Sequence, residues 1–269
     1  MGALLAHSPL PTVKTGACVE RGEGAGGILW PVDTPSSAAA GSTLDFGRGL
    51  RFVTEDPDWI KKILIGGAAM LLSILVVGSV LVAGYWVRLL QRAARGETRP
   101  LPEWDDLGAL FMDGLRAMGI YLAHVLVFAL PLGLAALAFV LVGGDVARLG
   151  GSQGAGDAMG ALAGLGFFGL YAIFWVAMLL LMLYLPAALT RFAVSGRFSA
   201  GFELLENVAF IRRNLVNYAL SLVLYLVVSF VAQFGVVLCC VGLFPAAFWA
   251  GCIVAWALGE TARLGAEVA

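Results

Sequence analysis

LVNYALSLVLYLVVSFVAQFGVVLCCVGLFPAAFWAGCIVAWALG, residues 215–259, runs for 45 positions without one Asp, Glu, Lys or Arg. An α-helix rises about 1.5 Å per residue, so this stretch would be about 67 Å long if straight, twice the roughly 30 Å of bilayer hydrocarbon. It must cross, turn and cross again. The turn is expected at Cys239–Phe244, where Gly242 ends the first helix and Pro245 suits the first turn of the second. Three further charge-free stretches, Ile63–Val87, Ala117–Gly144 and Ala158–Thr190, each exceed the roughly 20 apolar residues that one crossing needs. The expected fold is all-α. It is a polytopic helical membrane protein with about five hydrophobic helices, at about 63–87, 117–142, 160–190, 215–238 and 243–260, joined by amphipathic helices on the cytoplasmic surface.

Composition excludes a soluble core. Hydrophobic residues make up 60% of the chain and charged residues 13%, with a mean hydropathy of +0.90, whereas charged residues are about a quarter of a soluble protein. Seventeen basic and 18 acidic residues leave a net charge of −1. No global positive field exists to attract nucleic acid. Cys18 lies in the polar N-terminal stretch and Cys239, Cys240 and Cys252 in the last hydrophobic region. That placement suits small apolar packing residues rather than a disulfide framework.

Residues 1–43 are rich in Gly, Ala, Ser and Pro without helical or strand periodicity, the composition of a disordered low-complexity tail. The apolar run Ala3–Ala6 is too short for a signal peptide. Residues 44–269 form the multi-pass domain. Its first approach to the membrane is the cluster Asp56, Pro57, Asp58, Trp59, Ile60, Lys61 and Lys62, in which Trp prefers the headgroup level and Lys snorkels toward phosphate. A second approach, Leu101–Gly114, is expected as an amphipathic surface helix with Pro102 in its first turn and Glu103, Asp105 and Asp106 complementing its N-terminus. A third, Phe198–Asn214, sets Phe202, Leu205, Ala209 and Phe210 against Glu203, Glu206 and Arg213.

Lys and Arg flanking spans stay cytoplasmic. Arg88, Arg92, Arg95, Arg99 and Arg116 follow the first segment and Arg191, Arg197, Arg212 and Arg213 the third, so both loops should face the cytoplasm. The Gly-rich loop from Gly143 to Asp157 holds only Arg148 and should face out. Arg48, Arg51, Lys61 and Lys62 also ask for the cytoplasm, and one straight first span cannot place both of its ends there. Two solutions stand side by side: a single crossing, or a short hairpin that enters and returns near Gly78–Ser79, its irregular backbone shielded by protein.

Chemistry is sparse in the spans. His124 is the one ionisable His in a hydrophobic segment, but no Asp or Glu shares the spans to complete a relay, so it reads as a neutral, hydrogen-bonded packing residue. Adjacent Cys239 and Cys240 lack zinc-ligand spacing. Asn217, Ser221, Ser229 and Gln233 suit polar glue between helices. Ala247, Gly251, Ala255 and Gly259 recur every four residues and build a smooth packing face, as do Gly160 and Gly164. Arg88, Arg92, Arg95 and Arg99 line one side of a helix leaving the membrane until Gly96 ends it. They are expected to grip anionic lipid headgroups, at about 1 kcal/mol each. A catalytic reading would pair them with Glu103, Asp105, Asp106 and Asp113.

Asp56-Pro57-Asp58-Trp59-Ile60-Lys61-Lys62, Gly84-Tyr85, Gly96-Glu97, Leu101-Pro102-Glu103-Trp104-Asp105-Asp106, then Phe111, Asp113 and Gly114, and finally Arg212, Asn214, Asn217 and Tyr218 together resemble the prokaryotic membrane-protein family filed as domain of unknown function 4013. The resemblance covers roughly 44–262. It implies several membrane helices and no established activity. Many members carry Pro or Asn midway through the first hydrophobic segment, where this chain has Val77-Gly78-Ser79.

The reading that follows is an inner-membrane structural or accessory module contacting anionic lipid. Its expected partners are membrane lipids, a second copy or other membrane proteins, without nucleic acid, metal or cofactor. A transporter or channel for a small solute is the alternative class. A lipid-acting enzyme is third, and would need the acids of 103–113 to line a cleft at headgroup level.

Overall fold

A computed structural model describes residues 43–149, 153–237 and 242–267. The tail at 1–42, Cys239 and Cys240 of the expected turn, and the middle of the Gly-rich loop at 150–152 lie outside the described residues. All regular structure among the described residues is helical: α1 (Phe46–Arg51), α2 (Trp59–Leu71), α3 (Val77–Ala94), α4 (Leu107–Leu149), α5 (Gln153–Ser195), α6 (Leu204–Arg213), α7 (Leu215–Gln233) and α8 (Leu243–Glu267). Short 3-10 turns follow α2, precede α6 and extend α7. Four stretches are long and apolar enough to cross a membrane, Leu107–Ala138, Gly164–Ser195, Leu215–Val237 and Leu243–Glu267. The chain is an all-α, membrane-embedded protein.

The first hydrophobic segment is a hairpin, not a fifth crossing. α2 ends in a 3-10 turn at Leu72–Leu75, and Val76 reverses the chain with φ +64°. That left-handed conformation costs a β-branched residue about 1–3 kcal/mol. It is held by the Val76 amide donating to the Ser73 carbonyl at 2.9 Å and the Ser79 hydroxyl donating to the Val76 carbonyl at 2.6 Å. Gly78, placed in the turn by the sequence reading, lies instead in α3, where a side chain would overlap the Ala69 carbonyl of the facing arm. The apex displays Leu71, Leu72, Ile74, Leu75, Val76 and Val77, all exposed. With 13 and 18 residues, the arms reach about 20 and 27 Å, short of the roughly 30 Å of hydrocarbon.

Both arms therefore open on one polar face, and the other charged helix ends meet them there. The Leu44 amide donates to Asn217 at the start of α7, Gln91 at the end of α3 donates to the Ala193 carbonyl near the end of α5, and Arg263 of α8 lies against Gly96. Leu50→Cys, Thr98→Cys and Ser199→Cys, each alone in a background without native cysteines, should react with a membrane-impermeant maleimide from the same side. Labelling of Leu50→Cys and Thr98→Cys from opposite sides would remove the hairpin.

α8 is the central post. More than half of its spanning window is buried (56%), against 11% for α4. It packs on α2, α3 and α7, its Phe248, Cys252, Ile253 and Trp256 sharing one buried core with Tyr85, Leu89 and Leu90 of α3, where the Phe248 and Tyr85 rings meet at 5.1 Å. Trp256 also stacks on Phe52 at 5.4 Å. The tightest crossing is α3 on α4. A methyl group added at Gly84 would overlap the Leu110 carbonyl, and one at Gly114 would overlap the Val80 carbonyl, so the two backbones touch with nothing between them.

Three expectations need correction. Leu101–Gly114 is not a separate surface helix: residues 101–106 are irregular, and α4 starts at Leu107 and enters the span without a break. Gly108 and Gly114 do not interrupt it, because isolated glycines in a helix weaken it without ending it. Most of the expected Gly-rich loop at 143–157 is helical, since α4 reaches Leu149 and α5 starts at Gln153. α8 runs past position 260 to Glu267, its last turns tied by Arg263 to Glu260 and Glu267.

Candidate functional site

At the mouth of the hairpin, two motifs far apart in the chain close on one lysine. The turn at Asp56-Pro57-Asp58-Trp59 sets α2 in motion: the Asp58 amide donates to Asp56 Oδ1 at 2.9 Å and the Trp59 amide to the Asp56 carbonyl at 3.2 Å. One turn later Lys62 folds back, and its Nζ donates to Asp56 Oδ2 at 2.8 Å. From the second motif, Glu103 Oε1 lies 2.6 Å from the same Nζ and the Leu101 carbonyl 3.5 Å from it. Trp104 Nε1 donates to the Lys62 carbonyl at 3.2 Å and its ring stacks on Tyr85 at 4.6 Å. Lys62 is not the snorkelling lysine expected from the sequence. It is only 4% exposed and Asp56 5%, while the neighbouring Lys61 points out.

The electrostatics of this lock balance. Burial alone would lower the Lys62 pKa, but the hydrogen bonds and charges of Asp56 and Glu103 outweigh it and hold the ammonium above the ordinary lysine value. Beside it a cleft of about 420 Å³ is lined by Lys61, Lys62, Ile65, Glu103, Trp104 and Asp105.

The arginine stripe divides. Arg88 Nε donates to Asp113 Oδ2 at 3.0 Å and lies 4.0 Å from Asp106. Arg92 donates to the Leu101 carbonyl at 3.2 Å and lies 3.8 Å from Glu97, and Arg95 pairs with Glu97 at 2.8 Å. Arg99 is exposed and has no carboxylate partner among the described residues. Asp106 also accepts from the Ala109 amide at 2.9 Å, capping the start of α4. Of the arginines and acids that a catalytic reading would combine, Arg88, Asp106 and Asp113 are brought together, as ion pairs that fasten α3 to α4, whereas Arg92 and Arg95 pair with Glu97 and Glu103 pairs with Lys62.

Of the small-residue faces, Gly251 lies under the Trp86 ring and Gly259 against the Leu90 carbonyl, with Ala255 buried and Ala247 half-buried on the same helix. Gly164 has nothing within 4 Å, and Gly160 falls where only the helical backbone of α5 is described. His124 Nδ1 lies 2.8 Å from the Ile120 carbonyl, which can only accept, so Nδ1 carries the proton. The ring stacks on Phe202 at 5.3 Å, and this is a hydrogen-bonded packing histidine. Asn207, fully buried, accepts from Arg191 at 3.2 Å and donates to the Tyr184 hydroxyl at 2.7 Å, joining α6 to α5. Ser221 and Thr261 meet at 3.0 Å between α7 and α8. Among the described residues, no group of three or more His, Cys, Asp or Glu side chains could hold a metal ion.

Sequence reasoning missed the buried Lys62–Asp56 pair and the Gly84–Gly114 contact. Both were within reach, since a carboxylate six positions before a lysine across a Pro turn and an isolated glycine in a helical pattern are each readable signals.

A family model described as "Protein of unknown function (DUF4013)" matches residues 68–241. No curated protein and no solved structure matches the chain.

Proposed function

The chain belongs to the DUF4013 family of proteins of unknown function, and from that membership and the geometry above we propose a structural or accessory module of the cell membrane, seated with its polar face on anionic lipid at the cytoplasmic side. The observation that carries this reading is the segregation of charge. Both arms of the hairpin, the start of α4, the end of α5, α6 and the end of α8 bring their charged side chains to one face, and the hairpin apex holds no charged residue and exposes Leu71, Leu72, Ile74, Leu75, Val76 and Val77. Positive flanks hold such a face in the cytoplasm.

Lipid contact rests on the cations that remain unengaged. Arg88, Arg92 and Arg95 already face carboxylates or a carbonyl, whereas Arg99, Arg212 and Arg213 are exposed without a carboxylate partner among the described residues. Arg212 and Arg213 end α6, whose Leu204, Leu205 and Val208 are exposed alongside them. A helix with apolar side chains in the acyl boundary and arginines at its end suits the interface.

In nanodiscs of mixed composition the protein should enrich anionic lipid in its annulus, measured by quenching with brominated lipids. Each of Arg212→Ala and Arg213→Ala should lower that enrichment by roughly fivefold at low salt, about 1 kcal/mol per cation, and less at high salt. An annulus with the bulk composition would sink the proposal. A transporter or channel draws on the broken hairpin alone, yet the break presents Leu72, Ile74, Leu75 and Val76. Those side chains favour lipid over a solute.

A further inference from the structure

We propose that the cleft at the hairpin mouth binds the headgroup of a zwitterionic aminophospholipid, the class in which one phosphate is joined to one primary ammonium. Position sets the ligand as a lipid. The cleft lies between the start of α2 and the stretch leading into α4, where Lys61 and Trp104 are side chains of the headgroup level. Ile65, one turn deeper on α2, adds a partly exposed apolar wall toward the acyl chains.

Charge then chooses among headgroups. Lys62 lines the cleft but is held by Asp56 at 2.8 Å and Glu103 at 2.6 Å, so its charge is already met. Lys61 is exposed and has no carboxylate partner among the described residues. Opposite in sign, Asp105 is exposed, with one oxygen accepting from the Asp106 amide at 3.0 Å, and Glu103 is 59% exposed beyond its contact with Lys62. One free cation, Lys61, and one unpaired carboxylate, Asp105, with the exposed edge of Glu103 beside them, match a molecule that carries an anion and a hydrogen-bonding cation together. A glycerol-type anionic headgroup brings no cation for Asp105 and Glu103. A choline headgroup brings a cation with no N–H to donate. The proposal is independent of the anionic-lipid reading, which rests on Arg99, Arg212 and Arg213, and shares with it only the placement of this face at the headgroups.

The test is native mass spectrometry of the full chain released from nanodiscs with equal phosphatidylethanolamine, phosphatidylcholine and phosphatidylglycerol. Phosphatidylethanolamine should be retained over phosphatidylcholine by about fivefold, the yield of the N–H hydrogen bonds to a carboxylate that choline cannot make. Asp105→Asn should abolish that preference, Lys61→Ala should lower retention of both lipids alike because both carry the phosphate, and Arg212→Ala should leave the preference unchanged. Both altered side chains are exposed, and gel filtration verifies that the variants remain folded. Equal retention of ethanolamine and choline lipids in the native chain, a preference that survives Asp105→Asn, or unchanged retention of both lipids in Lys61→Ala overturns the proposal. Preferential phosphatidylglycerol retention lost on Arg212→Ala, without an ethanolamine preference, overturns the cleft proposal while upholding the anionic one.

Discussion

Gly84→Val should leave α3 and α4 unable to dock, with the protein losing its sharp gel-filtration peak in mild detergent or unfolding at a much lower temperature. The glycine faces the Leu110 carbonyl and the Gly114 amide, and Gly114 in turn faces the Val80 carbonyl. Backbone is not the yielding end of a flexible side chain. Two helices must separate along their length to admit the valine, at about 3 kcal/mol or more. Gly133→Val and Gly164→Val are the matched controls, since nothing lies within 4 Å of either position inside the chain; they should shift the unfolding temperature little. If all three variants unfold alike, the close crossing is not what holds the hairpin to the first span.

The second large effect is expected at Lys62. Lys62→Met removes the cation from beside Asp56 and leaves a carboxylate that is 5% exposed facing an apolar side chain. Breaking one partner of a buried pair costs about 3–5 kcal/mol. Adding Asp56→Asn should restore most of that loss, because Asn keeps the oxygen that accepts from the Asp58 amide while discarding the stranded charge. A double variant as unstable as the single would show that the pair is not the lock. The pH dependence has a definite sign. Lys62 has a pKa raised above the ordinary 10.5 in the folded protein, so its contribution is fully present below 10.5 and fades only as pH climbs through the higher folded value. In the native chain Lys62 should therefore add no pH dependence to stability between neutrality and pH 10.

The membrane class, the all-helical architecture and the fold-back within 215–259 were legible because they follow from length against bilayer thickness. The hairpin was legible only as one of two solutions. Basic residues on both flanks of 63–87 asked for it, but Gly78–Ser79 drew the turn to the wrong place. A glycine in a helix signals either a break or a close approach. Here Gly78 serves the approach to Ala69, and Val76 takes the turn at an energetic cost that no local propensity announces. The same ambiguity hid Gly84 and Gly114. At the site, the acids of 103–106 read correctly as helix-start residues for Asp106 alone, since Glu103 is committed to Lys62, 41 positions earlier. That pairing depends on the hairpin returning the chain, so the site could be placed only once the hairpin was.

A hairpin with both ends on one face and arms shorter than the hydrocarbon leaves the two leaflets unequally occupied. On the polar side the molecule spreads over the four spans, two helical arms and the flanking helices α1 and α6; on the opposite side the arms have ended. Lipid chains beneath the apex must tilt or thin to fill the depth that the two arms do not reach.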